Sequence, residues 1–228
     1  MTWLWSNLDL ILALTLDHVR LSIPPILLGF LVALPLGWVA HRFRWGRELL
    51  LTLVGLLYTI PSLALLVLLP AAVGISALSE TNLLVTLTIY AVALMVRSVC
   101  EGLDSVDPDV RQAATAMGYS PWRRFWQVEF PLAGPVMLAG LRVVAVSTVS
   151  LVTVGILVGV QSLGYLFTNG FQRNIPVEIL SGIVMTVVVA LLLDAALVLA
   201  GRLLMPWTRG TATSKVSLRR QAREVAVS

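Results

Sequence analysis

Two charged side chains, Arg142 and Asp194, lie deep inside otherwise apolar sequence, and the chemistry open to them is electrostatic. An ionised group within a membrane is costly and ordinarily meets an opposite charge, a bundle interior or a water-filled path. Arg142 follows Pro131 by eleven residues and Asp194 precedes Arg202 by eight. At 1.5 Å per residue both lie about 12–17 Å from the side expected to be cytoplasmic. Similar depth and opposite sign favour an ion pair bracing two spans, with lining of a translocation path as the alternative. Tyr58, Thr59, Pro61 and Ser62 make a second polar interruption. They suit either a loosened helix that opens backbone groups to a cavity or a simple kink. His18 and His41 are expected near span ends with no Cys or carboxylate cluster beside them, so no metal site and no cofactor is expected. Phosphate-loop, HExxH, CxxC and GxSxG patterns are absent from the sequence. A non-catalytic subunit that draws its energy from a partner is the expectation.

The elements that position these groups are membrane helices. Of 228 residues, 58% are hydrophobic and 12% charged, and the mean hydropathy is +0.91. Soluble domains carry about 25% charged residues. A hydrocarbon core of about 30 Å takes about 20 residues per span, so five or six spans fill the chain. The net charge of +4 is read as basic cytoplasmic loops rather than nucleic-acid binding. The single Cys100 excludes an intrachain disulfide.

Residues 1–18 read as an N-terminal interfacial segment, with Trp3 and Trp5 at the interface and no cleaved signal peptide. Residues 19–206 hold the transmembrane domain, with spans expected near 21–40, 49–69, 83–99, 132–160 and 179–204. Pro24, Pro25, Pro35, Gly29 and Gly37 predict kinks in the first span. Gly155, Gly159 and Gly164 predict close helix packing, and 161–178 reads as a loop. Arg42, Arg44 and Arg47 occupy the first loop, Arg111, Arg123 and Arg124 the third, and six basic residues the tail 207–228 and its approach. Five spans with the N-terminus outside and the C-terminus cytoplasmic satisfy the positive-inside rule at every loop. The tail is expected to be mostly unstructured.

The longest polar interruption, 107–131, reads DPDVRQAATAMGYSPWRRFWQVEFP. Asp107 is a good N-cap and Pro108 suits the first helical position. Gly118 can end that helix in the left-handed conformation. Ser120-Pro121 then repeats the start signal, and a second short helix from Trp122 to Glu129 is expected to close at Pro131. Within this stretch Gln112-Ala113-Ala114, then Gly118, then nine residues, then Val128-x-Phe130-Pro131 resembles the E-A-A-x-x-x-G loop of permeases in ATP-binding-cassette importers. Ala113, Ala114, Gly118 and Pro131 match directly; Gln112 and Phe130 depart from the usual Glu and Leu. The resemblance implies an all-α membrane protein of the type I importer permease fold, with a cytoplasmic coupling helix seated in a cleft of an ATPase subunit. It assigns that contact to Gln112, Ala113, Ala114, Gly118, Tyr119, Ser120, Pro121, Trp122, Arg123, Arg124 and Pro131.

A wider resemblance covers about 15–206. DHVRLS, VALPLG, YTIPSLALL and EFPLAGPVMLAGLR are similar to osmoprotectant permeases for glycine betaine, carnitine and choline. Gly159-Val160-Gln161-Ser162-Leu163-Gly164 departs from the glycine-rich segment common in that group. Small methionine permeases share the loop and the size and are the competing family. The implied partners are a cytoplasmic ATPase dimer, a second permease subunit, an extracytoplasmic substrate-binding protein and the lipid bilayer. An ion-coupled carrier and a non-transporting membrane scaffold are the readings from other classes.

Overall fold

Helix α2 (Leu8–Arg42) and helix α5 (Glu80–Asp104) form the seam on which the rest is built. They run parallel, as contacts along their length show. Arg20 pairs with Glu80 near one end, Gly29 lies against Ala91 in the middle, and His41 meets Asp104 at the other end. Gly29, Ala33 and Gly37 recur every four residues on one face of α2, and all three are buried. A Cβ at Gly29 would collide with Ala91, and one at Gly37 with Val99. Small residues at this spacing let two membrane helices approach closely where apolar burial alone gives no preference over lipid. Gly29 and Gly37, expected at kinks, serve packing here, and α2 continues as one helix through Pro24, Pro25 and Pro35.

The computed structural model describes residues 2–209, and among them every regular element is helical. A short α1 (Thr2–Ser6) precedes α2, which crosses position 18 without interruption. The 35 residues of α2 rise about 52 Å. From Leu8 onward, the residues expected as an interfacial segment and those of the first span thus share one helix. The tail 207–228 lies, beyond Arg209, outside the described residues.

The second span is divided rather than loosened. Helix α3 (Arg44–Thr59) and helix α4 (Ser62–Val73) meet at 105°. Pro61 lacks a donor and holds Ile60 extended, with ψ of 128°. Tyr90 on α5 donates its hydroxyl to the Ile60 carbonyl and pins the corner. Asn82, also on α5, donates to the Leu66 carbonyl of α4 at 2.9 Å.

After α5 come α6 (Pro108–Ala116) and α7 (Pro121–Arg124), then a π turn at 125–129 that runs directly into α8 (Phe130–Val152). The expected stop at Pro131 is a correction. Its ring falls in the first turn of α8, where a missing donor is tolerated. The π turn widens the helix immediately before it, where the ring would otherwise press on the preceding turn. One helical rod thus extends from Pro121 to Val158, closing in a 3₁₀ turn at 153–158. The expected packing glycines divide in role. Gly155 lies against Leu83 and Gly164 against Thr153, whereas Gly159, with φ +77°, has open space around it and turns the chain. The segment expected as a loop contains α9 (Gly164–Gln172), folded onto the last helix, α10 (Pro176–Leu204).

Four of these helical runs are long and apolar enough to cross a membrane, and α3 with α4 makes a fifth if the bent pair counts as one span.

Candidate functional site

The hairpin of α6 and α7 is assembled by local hydrogen bonds that the sequence announces. Asp107 Oδ1 accepts from the Asp109 amide at 2.8 Å, and Pro108 begins the helix. At its end the Gly118 amide donates to Thr115 O and the Tyr119 amide to Ala114 O. This double closure requires a left-handed residue at the turn, and Gly118 supplies it with φ +82°. Ser120 Oγ then accepts from the Arg123 amide and caps α7.

Side chains fasten the hairpin to the bundle. Arg124 Nε donates to Glu129 Oε1 at 2.7 Å, and its Nη1 donates to Thr115 Oγ1 at 2.9 Å, joining both arms of the hairpin to the start of α8. Glu129 is buried, so removal of its cation would strand a carboxylate. Arg111 donates to the Leu103 carbonyl at the end of α5. Trp38 of α2 meets Trp122 and Phe125 edge-on, with ring centroids 6.2 and 5.9 Å apart. Arg123 lies over the Tyr119 ring at 5.0 Å and donates to Gln127 Oε1.

Gln112, Ala113, Gly118, Ser120, Pro121, Trp122 and Arg123 are exposed on the hairpin. Met117 and Trp122, at 69% and 62% exposure, are its largest apolar groups. Tyr119, Arg124 and Pro131 are half-buried. Ala114 departs from the expectation of a contact residue: at 1% exposure it faces the bundle, where a larger side chain would push α6 outward. Glu129, Thr115 and Trp38 were not singled out in the sequence. The short spacing from Arg124 to Glu129 carried a signal; the contact from Trp38, over 80 positions away, carried none.

Inside the membrane, Arg142 and Asp194 form a two-point ion pair between α8 and α10, with Nε–Oδ1 2.6 Å and Nη2–Oδ2 2.8 Å. The paired groups open onto a groove of about 650 Å³. Tyr58 is brought against Tyr90, rings 5.8 Å apart, and lines a separate cavity of about 460 Å³ between α3 and α5. Thr59 donates to the Leu56 carbonyl, and Pro61 and Ser62 form the corner into α4. The structure keeps Tyr58 and the Arg142–Asp194 pair in different cavities. His18, expected near a span end, is fully buried, and its Nε2 donates to the Val149 carbonyl at 3.0 Å.

The model of the family described as binding-protein-dependent transport system inner membrane component matches residues 25–210. The chain belongs to that family. It is a multi-pass inner-membrane permease component of a binding-protein-dependent importer. Among its relatives is the choline transport system permease protein OpuBB of Bacillus subtilis, 29% identical over 204 residues that cover 90% of this chain and 93% of that protein. The osmoprotectant import permease protein OsmY of Salmonella typhimurium is 32% identical over 193 residues, covering 84% and 80%. A chain of the MetNI methionine ABC transporter, in an inward-facing conformation, superimposes with a TM-score of 0.79 at 20% identity, over 87% of this chain and 98% of that one. At that identity the likeness establishes the type I permease fold and nothing about substrate.

Proposed function

We propose that this chain forms the membrane path of an ATP-driven importer for quaternary-ammonium osmoprotectants such as glycine betaine, choline or carnitine. The observation that carries the substrate reading is similarity along nearly the whole chain to permeases named for those compounds. ATP hydrolysis belongs to a separate cytoplasmic subunit pair. A second permease subunit and an extracytoplasmic binding protein complete the complex. The N-terminus is outside and the C-terminus cytoplasmic, so the α6–α7 hairpin faces the ATPase. Its exposed surface of Gln112, Ala113, Gly118, Trp122 and Arg123 fits a cleft on that partner. Closure of the ATPase pair on ATP moves the hairpins, and the spans turn their opening from one side of the membrane to the other. Methionine import is the second reading, because small methionine permeases share the Gln112–Pro131 loop pattern and the size of this chain.

The test is ATP hydrolysis by the complex reconstituted in liposomes, with binding protein loaded in turn with glycine betaine, choline or methionine. Stimulation by a quaternary amine is expected. Stimulation by methionine alone would overturn the substrate reading and leave the permease role in place.

A further inference from the structure

We infer that the groove beside Arg142 and Asp194 is a transit site for a zwitterion that carries a cationic nitrogen and a carboxylate. The inference rests on the importer reading and adds to it a place on this chain where the substrate is held.

The groove runs between the outward faces of α8 and α10. Arg142 and Asp194 sit about ten residues or more inside their helices, at a depth where a lipid-facing charge is costly. Yet the Arg142 side chain is 43% exposed and that of Asp194 24%. The exposed side of the pair therefore needs water, a polar solute or protein against it. Ser147, Ser150 and Thr186 line the same groove and bring hydroxyl oxygens to it. Ser150 and Thr186 donate their protons to carbonyls one turn back and keep lone pairs for water.

The pair is built to receive a dipole without coming apart. Arg142 spends Nε and Nη2 on Asp194. Its Nη1 donors have no protein acceptor among the described residues. A substrate carboxylate can accept from Nη1 while the substrate's trimethylammonium lies over the outer lone pairs of Asp194. The trimethylammonium donates no hydrogen bond, so its attraction to the carboxylate is Coulombic and strengthens as water is excluded. Glycine betaine, with its two charges separated by one methylene, lies antiparallel to the ion pair. Choline, which lacks the carboxylate, makes only half of the contact. A pair that only braces two helices distinguishes neither compound.

Two measurements on the complete reconstituted complex decide the matter. Ser147→Cys and Ala190→Cys, each in a Cys100→Ala background, are treated with a trimethylammonium-bearing methanethiosulfonate reagent added in water. Both thiols are expected to react; failure of both places the groove against lipid or sealed protein and overturns the site. The double variant Arg142→Gln/Asp194→Asn places an amide nitrogen where Nε stands, so that one mutual hydrogen bond can still form, and removes both charges. Recovered in complex with its ATPase, it is expected to show at least a tenfold fall in the ratio of glycine betaine to choline uptake. An unchanged ratio, with both rates falling together, assigns the pair to bracing and overturns the site. A wild-type complex that carries choline but no zwitterion overturns it as well. A wild-type complex that carries neither compound defeats the quaternary-ammonium reading. The thiols then decide separately: reaction supports a water-facing site for another zwitterion, and no reaction overturns the site too.

Discussion

Helices α5 and α10 cross the same membrane with mean hydropathies of 2.0 and 2.7, yet 56% of the most apolar stretch of α5 is buried within the chain and only 6% of that of α10. The difference teaches how a permease divides its labour. Helix α5 is held by α2 through Gly29, Ala33 and Gly37, by Tyr90 at the corner of α3 and α4, and by Asp104 beneath His41 and Arg47. It is a frame. Helix α10 touches the remainder through the hairpin with α9, the Arg142–Asp194 pair, a patch around Val189 and the approach of Gly201 to Leu138. Hydropathy does not separate the two, because lipid and neighbouring helices are equally apolar. Small residues facing one another do.

Three substitutions probe that contrast, and a fourth sets the hairpin beside it. Gly29→Leu forces a branched side chain into Ala91 and is expected to cost about 3 kcal/mol, the upper end for overpacking; denaturant unfolding in detergent measures it, and wild-type stability would show that the seam is not the frame. On the α10 side, the buried Glu178 receives a 2.6 Å hydrogen bond from Asn169 at one oxygen, and its Oε2 has no partner among the described residues. Asn169→Ala removes the only side-chain donor to it among the described residues and is expected to cost about 2 kcal/mol in the same assay. Gly118→Asp lies outside both regions. It is expected to lose about 1 kcal/mol through left-handed strain while abolishing uptake at normal membrane insertion, and normal uptake would refute the coupling role. The smallest effect is expected for Leu199→Ala on the open face of α10, 57% exposed: below about 0.5 kcal/mol in the isolated chain. If the same change weakens co-purification of the complex, that face belongs to the second permease rather than to lipid.

The hairpin of α6 and α7 is the part most legible in the sequence because its determinants are local. Asp107, Gly118 and Ser120 each act within three residues of themselves, and each does in the structure what its type foretells. The approach of Arg142 to Asp194 was legible for another reason: two charges at equal depth in hydrocarbon have few other neighbours to choose. What escaped depends on distant partners. Gly29 and Gly37 read as kinks until Ala91 and Val99 are placed against them. Pro131 reads as a stop because nothing in its immediate surroundings reveals that a π turn will widen the helix before it. The Tyr58–Ser62 break reads as a weakness in one span, whereas Tyr90 turns it into a right-angled corner. Sequence separation, more than residue type, marks the limit of what could be read.

The passage through Pro131 also has a mechanical consequence. Because the rod from Pro121 to Val158 has no break, the hairpin's second arm and the span are one lever. Its 38 residues measure about 57 Å. A tilt of about 5° imposed at Trp122 would sweep the far end through about 5 Å, comparable with one helical turn. Arg142 rides partway along that lever, so its position across the membrane is geared to whatever grips the hairpin. The π turn at 125–129 lies between the hairpin's arm and the span, and its stiffness would set how much of such a tilt reaches Arg142.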